Sequence, residues 1–224
     1  RLALVPRHLG GAEAEEQLRQ ILGRWDRELA RSSERRLVVV FEAAGQVATV
    51  EAIQPRLTRR GPGAATAFVV APEQFPPRGA ERAAELPPGV AVHLRFDAAR
   101  PRRGLFPALR PTALASANLS AETVGAEHTA VAEQARDLLA QYERIDPDLA
   151  FPEPDSLPRR QRTIAIRAQR LHAFLTQPFF FAEPFTGKPG VRVPRAATVQ
   201  DVARILDGQW DHVPVDDLRY VASL

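Results

Sequence analysis

The sequence predicts an α/β layer followed by a helical domain, on three observations. A short apolar run, Leu2 to Val5, leads through Gly10-Gly11 into an amphipathic stretch, two continuous β-branched runs follow, and beyond Pro111 the apolar residues recur at helical spacing. We place the boundary at residue 110, giving an α/β domain over 1–110 and a helical domain over 111–224. A length of 224 residues suits two modest domains with a substantial core.

Taken in order, Leu18, Ile21, Leu22, Trp25 and Leu29 share one face of a helix. Leu37 to Phe41 and Ala67 to Val70 are unbroken apolar runs, as strands buried on both faces require. From Phe75 to Arg103 proline, arginine and alanine dominate, so the segment reads as loop, apart from Val90, Val92 and Leu94, which alternate like a short strand. Glu122 to Arg144 carries Val124, His128, Val131, Ala135, Leu138 and Tyr142 at steps of three and four and predicts one long helix. The prolines between Asp146 and Pro158 break it. A second helix runs from Arg159 to Thr176 and buries Ile164, Ala168, Leu171 and Leu175; a third opens at a Thr198 cap, with Asp201 at its positive end, and stops at Gly208.

Composition narrows the chemistry. An apolar fraction of 45% with 25% charged residues describes a globular chain, and no run reaches the ~18 apolar residues of a spanning helix, so a cytoplasmic protein without membrane insertion is expected. The absence of cysteine excludes disulfides, thiolate zinc sites and cysteine nucleophiles. His8, His93, His128, His172 and His212 never take a metal-ligand spacing, so no metal site is expected. Of 30 basic residues all but Lys188 are arginine, yet the net charge is only +3 and no nucleic-acid module is visible, which argues against a nucleic-acid partner.

The motifs Gln177-Pro-Phe-Phe-Phe-Ala-Glu-Pro-Phe-Thr-Gly187 and Ile205-Leu-Asp-Gly-Gln-Trp-Asp-His-Val-Pro214, with Gly104-Leu-Phe-Pro-Ala-Leu-Arg-Pro111 and Val124-Gly-Ala-Glu-His128 upstream, resemble the C-terminal part of the β subunit of rotary F-type ATP synthases. Gly104 to Val221 follows the family pattern without a gap. Arg59 to Pro72 keeps the spacing of a family strand, and Gly10-Gly-Ala-Glu-Ala-Glu-Glu-Gln17 falls on the family's phosphate-binding loop. The family's β-barrel domain and a long segment between these two points have no counterpart. The resemblance therefore implies a reduced P-loop NTPase, RecA-like domain followed by the helical domain.

That phosphate loop is inverted in charge. Such a loop needs glycines for close amide approach, a lysine on the β and γ oxygens and a hydroxyl on magnesium. On the alignment, Gly10 and Gly11 remain, but Glu13 and Glu15 replace glycines, Glu16 the lysine and Gln17 the threonine. Like charges near ~4 Å repel by about 4 kcal/mol at an effective dielectric of 20, so these carboxylates oppose a triphosphate. Glutamates suit an ordinary helix start instead. Glu42 falls near both the family's general base and its magnesium-binding aspartate, and without the lysine it cannot sustain phosphoryl transfer. No catalytic residue and no cofactor is expected.

The resemblance places Phe106 on the aromatic that stacks on adenine and Phe179 and Phe185 on two further aromatics of that pocket, and aligns Asp155 to Gln161 with the acidic loop that meets the central stalk. Here Arg159, Arg160 and Arg162, with Arg167 and Arg170 behind them, make that region basic, so it is either a solvated arginine face or meets a partner surface that is acidic or otherwise different. The leading expectation is a non-catalytic structural or regulatory β-like subunit that packs against an α-like neighbour and a central-stalk subunit, peripheral to the inner membrane through its complex. Two alternatives stand beside it. One is a genuine β subunit using ATP, ADP and magnesium, with its missing segments outside this sequence; the other is an adenine-nucleotide sensor.

Overall fold

The computed structural model describes residues 2–5, 12, 16, 17, 19, 20, 23, 37–41, 65–69, 91–97, 99–180 and 183–224. They belong to two units, Arg1–Glu81 with Pro87–Val90 and Arg82–Leu86 with Ala91–Leu224.

In the first unit β1 (Leu2–Val5), β2 (Leu37–Phe41) and β3 (Ala65–Val69) form a parallel sheet in the order β1-β2-β3. Leu2 registers with Val38 and Leu37 with Ala65. Parallel neighbours cannot be joined by a hairpin; Ala12, Glu16, Gln17, Arg19, Gln20 and Gly23, between β1 and β2, are helical and belong to such a crossover. The predicted burial of β2 on both faces concerns side chains outside the described residues.

The second unit begins earlier than residue 111. β4 (Val92–His93) pairs antiparallel with β5 (Ala115–Ser116), and the ribbon continues through a bridge between Phe96 and Leu109. Helix α1 (Ala99–Arg102) follows β4. Leu105 is fully buried in the helical core, and Arg110 grips Glu143 with Nη2 on Oε2 at 2.9 Å, reinforced by Thr112 Oγ1 donating to Glu143 Oε1 at 2.7 Å. Residues 91–110, assigned by sequence to the α/β domain, thus pack with the helices. Their proline- and arginine-rich composition conceals Leu105, the buried apolar residue that they give to the core.

The predicted long helix is split into α2 (Ala121–Val124) and α3 (Ala126–Ile145) by Gly125, whose φ of 91° lies where a side chain is strained. Helix α4 (Arg159–Phe174) follows the proline-rich break, then α5 (Glu183–Thr186) and α6 (Arg195–Leu206). The core joins α3, α4 and α6 through Leu139, Tyr142, Ala165, Ala168, Leu171, Phe174, Val202 and Ile205. Each large side chain buried there contributes about 1.5–3 kcal/mol. Helix α6 corrects one expectation: it starts at Arg195 after Pro194, so Thr198 is not its cap and Asp201 is not in its first turn. Asp201 lies on the buried stripe with Val202 and Ile205, 2% exposed.

Candidate functional site

Of the phosphate-loop positions, Glu16 and Gln17 are described; Gly10, Gly11, Glu13 and Glu15 lie outside the described residues, as does Glu42. Glu16 is exposed and helical, and its carboxylate is committed along its own helix. It pairs with Arg19 one turn on and accepts a hydrogen bond from Gln20 Nε2 at 3.3 Å. Both partners sit at the spacing of ordinary helix-surface pairs. Gln17 is half-buried, with Oε1 lacking a partner.

The aromatic positions lie on two loops of the helical unit. Phe106 is half-buried and follows Leu105, whose N–H donates to Arg100 O at 3.0 Å and closes the end of α1. Phe179 is half-buried just beyond α4, beside Phe180, which is 63% exposed. The side chain of Phe185, on α5, lies outside the described residues. The second loop is pinched shut. Val191 N–H donates to Pro178 O at 3.2 Å and Gly190 N–H to Glu183 Oε1 at 2.7 Å. A side chain at Gly190 would fall 2.4 Å from the Phe180 backbone nitrogen, so only glycine fits there.

A third segment ties these loops together. After a 3-10 turn (Val215–Leu218) that seats the buried Leu218, Arg219 Nη1 donates to Gly104 O at 3.1 Å and Arg103 O at 3.3 Å. The next residue, Tyr220, donates its N–H to Thr176 O at 2.9 Å and lies under the Lys188 ammonium, 5.4 Å from the ring centroid. Adjacent residues therefore hold both aromatic-bearing loops.

The basic face is smaller than its sequence suggests. Arg162 turns inward, donating from Nε to Leu157 O at 3.0 Å and from Nη2 to Asp155 O at 3.1 Å. Arg167 caps the end of α6 through Leu206 O at 2.6 Å and pairs with Asp211 at 3.3 Å, while Arg170 Nε donates to Trp210 O at 2.9 Å. Of these five arginines, Arg159 and Arg160 alone are exposed with no partner among the described residues. They occupy the first turn of α4, which carries no acid, at a helix end that repels positive charge.

Sequence reasoning missed two buried polar centres. In one, Asp146 gathers Tyr142 and the turn behind α3. In the other, Arg100 Nη1 and Nη2 approach His172 Nδ1 at 3.4 and 3.5 Å, both residues almost wholly buried. Burial, and then the Arg100 charge, push His172 down to about 3, so the imidazole is neutral and accepts at Nδ1. His172 belongs to the same stripe as Ala168, and a histidine on an apolar stripe was the available signal. Among the described residues no group of side chains could hold a metal ion, and no helix is long and apolar enough to cross a membrane. No family model matches the chain.

Proposed function

We propose that the chain is a non-catalytic, β-like subunit of an F-type ATP synthase or a derived assembly, structural or regulatory in role. The observation that carries this reading is the use of Glu16. Where the resembled family places a phosphate-binding lysine, this chain has a carboxylate that faces solvent and bonds to Arg19 and Gln20 of its own helix. A residue so engaged offers a triphosphate repulsion and nothing to neutralise it. The helical unit, by contrast, closes a core that takes in Leu105 and Ile205, with Leu206 and Trp210 at its edge, from two of the segments that carry the family motifs. Its contact points to a neighbour are Arg159 and Arg160, and the charge they meet is acidic.

The test is purification of the tagged chain from its host, with subunit stoichiometry by native mass spectrometry and calorimetric titration with Mg-ATP. Recovery in fixed ratio with an α-like ATPase subunit and no Mg-ATP binding is expected. A chain recovered alone as a monomer overturns the subunit reading. Tight magnesium-dependent ATP binding with turnover returns the genuine β subunit. The sensor reading draws support from the tie between the Phe106 and Phe179 loops, and saturable adenosine binding without magnesium identifies it.

A further inference from the structure

We propose that Arg219–Leu224 is a conformational latch that locks the two aromatic-bearing loops to one another and to a remote anchor on α6. Its proximal end is the Arg219 and Tyr220 contacts to Gly104 and Thr176 described above. Its distal end is Asp201, whose Oδ2 accepts Ser223 Oγ–H at 2.7 Å and Leu224 N–H at 3.0 Å, while Arg204 Nη1 donates to Oδ1 at 3.3 Å. An aspartate on the buried stripe of a helix is costly unless its oxygens are met; this segment meets Oδ2, and Arg204 meets Oδ1.

The backbone between the two ends is strained. Tyr220 has φ 61° and Ala222 φ 66°, both left-handed and neither glycine. Such residues persist only where surrounding contacts over-determine them, and a strained segment held at both ends is poised to spring when either end is released. Release at Asp201 is therefore carried to the Phe106 and Phe179 loops together, through Arg219 and Tyr220. If a planar base contacts both loops, as the sensor reading above has it, it favours the latched state by the same linkage; the latch itself does not depend on that ligand.

The full chain, examined by amide hydrogen exchange, decides it. Arg219→Met removes the proximal grip and Ser223→Ala loosens the distal one, while Leu224 N–H and Arg204 still meet the Asp201 carboxylate. The latch requires Arg219→Met to speed exchange roughly tenfold at both 103–106 and 176–191, the factor that losing a charge-assisted hydrogen bond carries. Ser223→Ala must speed both loops as well, by about threefold or more, while amides of α3 and α4 near Leu139 and Ala168 stay protected. Loosening of 221–224 alone in Ser223→Ala, or of only one loop in Arg219→Met, overturns the latch. Titration of the wild-type chain with adenosine is scored separately. If adenosine does not bind, the base-binding reading falls, and the exchange pattern still judges the latch.

Discussion

Two polar centres are buried in the same helical core and are built in opposite ways. Around Asp146 the acceptors are met: Oδ1 takes the Ala150 N–H at 2.9 Å, and Oδ2 takes the Tyr142 hydroxyl at 2.8 Å and the Phe151 N–H at 2.9 Å. Gln169 Nε2 then donates to the Tyr142 oxygen at 3.0 Å and to Pro152 O at 2.8 Å. Around Arg100 and His172 the opposite holds. One long, shared contact joins them, and Arg100 Nε and His172 Nε2 have no partner. Burial lowers the Arg100 pKa, with Asp97 and Glu143 opposing that shift only from a distance. The contrast teaches that burial alone does not mark a polar residue as structural. A satisfied centre specifies the chain path, whereas an under-satisfied one is a cost the core carries.

The largest expected effect tests the satisfied centre. Asp146 also fixes the left-handed Leu149 and Phe151, at φ 51° and 54°, so its carboxylate sets the turn between α3 and α4. Asp146→Ala strands the Tyr142 hydroxyl and two backbone amides and should cost about 3–5 kcal/mol, read by urea denaturation. A loss below ~1 kcal/mol would show that the turn holds without it.

Acid is the next probe, and it acts on the other centre. His172 titrates at about 3 in the fold against an ordinary 6.5, so between these values the unfolded chain binds the extra proton. The contribution of His172 is fully present above pH 6.5 and is lost as the pH drops toward the folded value, by about 1.4 kcal/mol per unit, or roughly 2 kcal/mol by pH 5. The groups facing the ring are Arg100, Asp146 and the Tyr142 and Phe151 rings; of these Asp146 favours the proton and Arg100 opposes it. His172→Gln should flatten this limb of the denaturation profile. An unchanged limb would assign the titration elsewhere.

Replacement with apolar side chains separates the two centres further. Arg100→Met with His172→Leu removes two under-satisfied groups together and should leave stability unchanged or raise it by about 1–2 kcal/mol, while each single change destabilises. The same treatment of the other centre, Tyr142→Phe with Asp146→Leu, should destabilise strongly because the Ala150 and Phe151 amides lose their acceptor. Thermal melts of the six variants complete the comparison.

What the sequence made legible follows the range of the forces involved. Leu37–Phe41 forms a strand and Arg159–Phe174 a helix because side-chain periodicity is local. The break at Gly125 has no counterpart in the apolar stripe, which runs through it, and the start of α6 at Arg195 is hidden because a cap-like Thr198 and an acidic Asp201 imitate a helix start. Asp201 meets Ser223 and Leu224, and His172 meets Arg100, through contacts distant in sequence that no local pattern records. The arginines show the same limit. Charge counting made Arg162 a contact candidate and set Arg167 and Arg170 in the basic region behind it, whereas each bonds a backbone carbonyl of its own unit.

The smallest effect on stability carries the most functional weight. Arg159 and Arg160 sit at the positive end of α4, where cations are unfavourable, and nothing among the described residues compensates them. Reversing them with Arg159→Glu and Arg160→Glu should therefore stabilise the isolated chain, by about 0.3–1 kcal/mol each, and more at low salt. If these arginines are retained for an acidic neighbour, the same double variant must lose that neighbour in the purification described above while melting at an equal or higher temperature. A gain in stability with the assembly intact would mean that the surviving basic face is solvated surface, and the partner contact would have to be sought elsewhere on the helical unit.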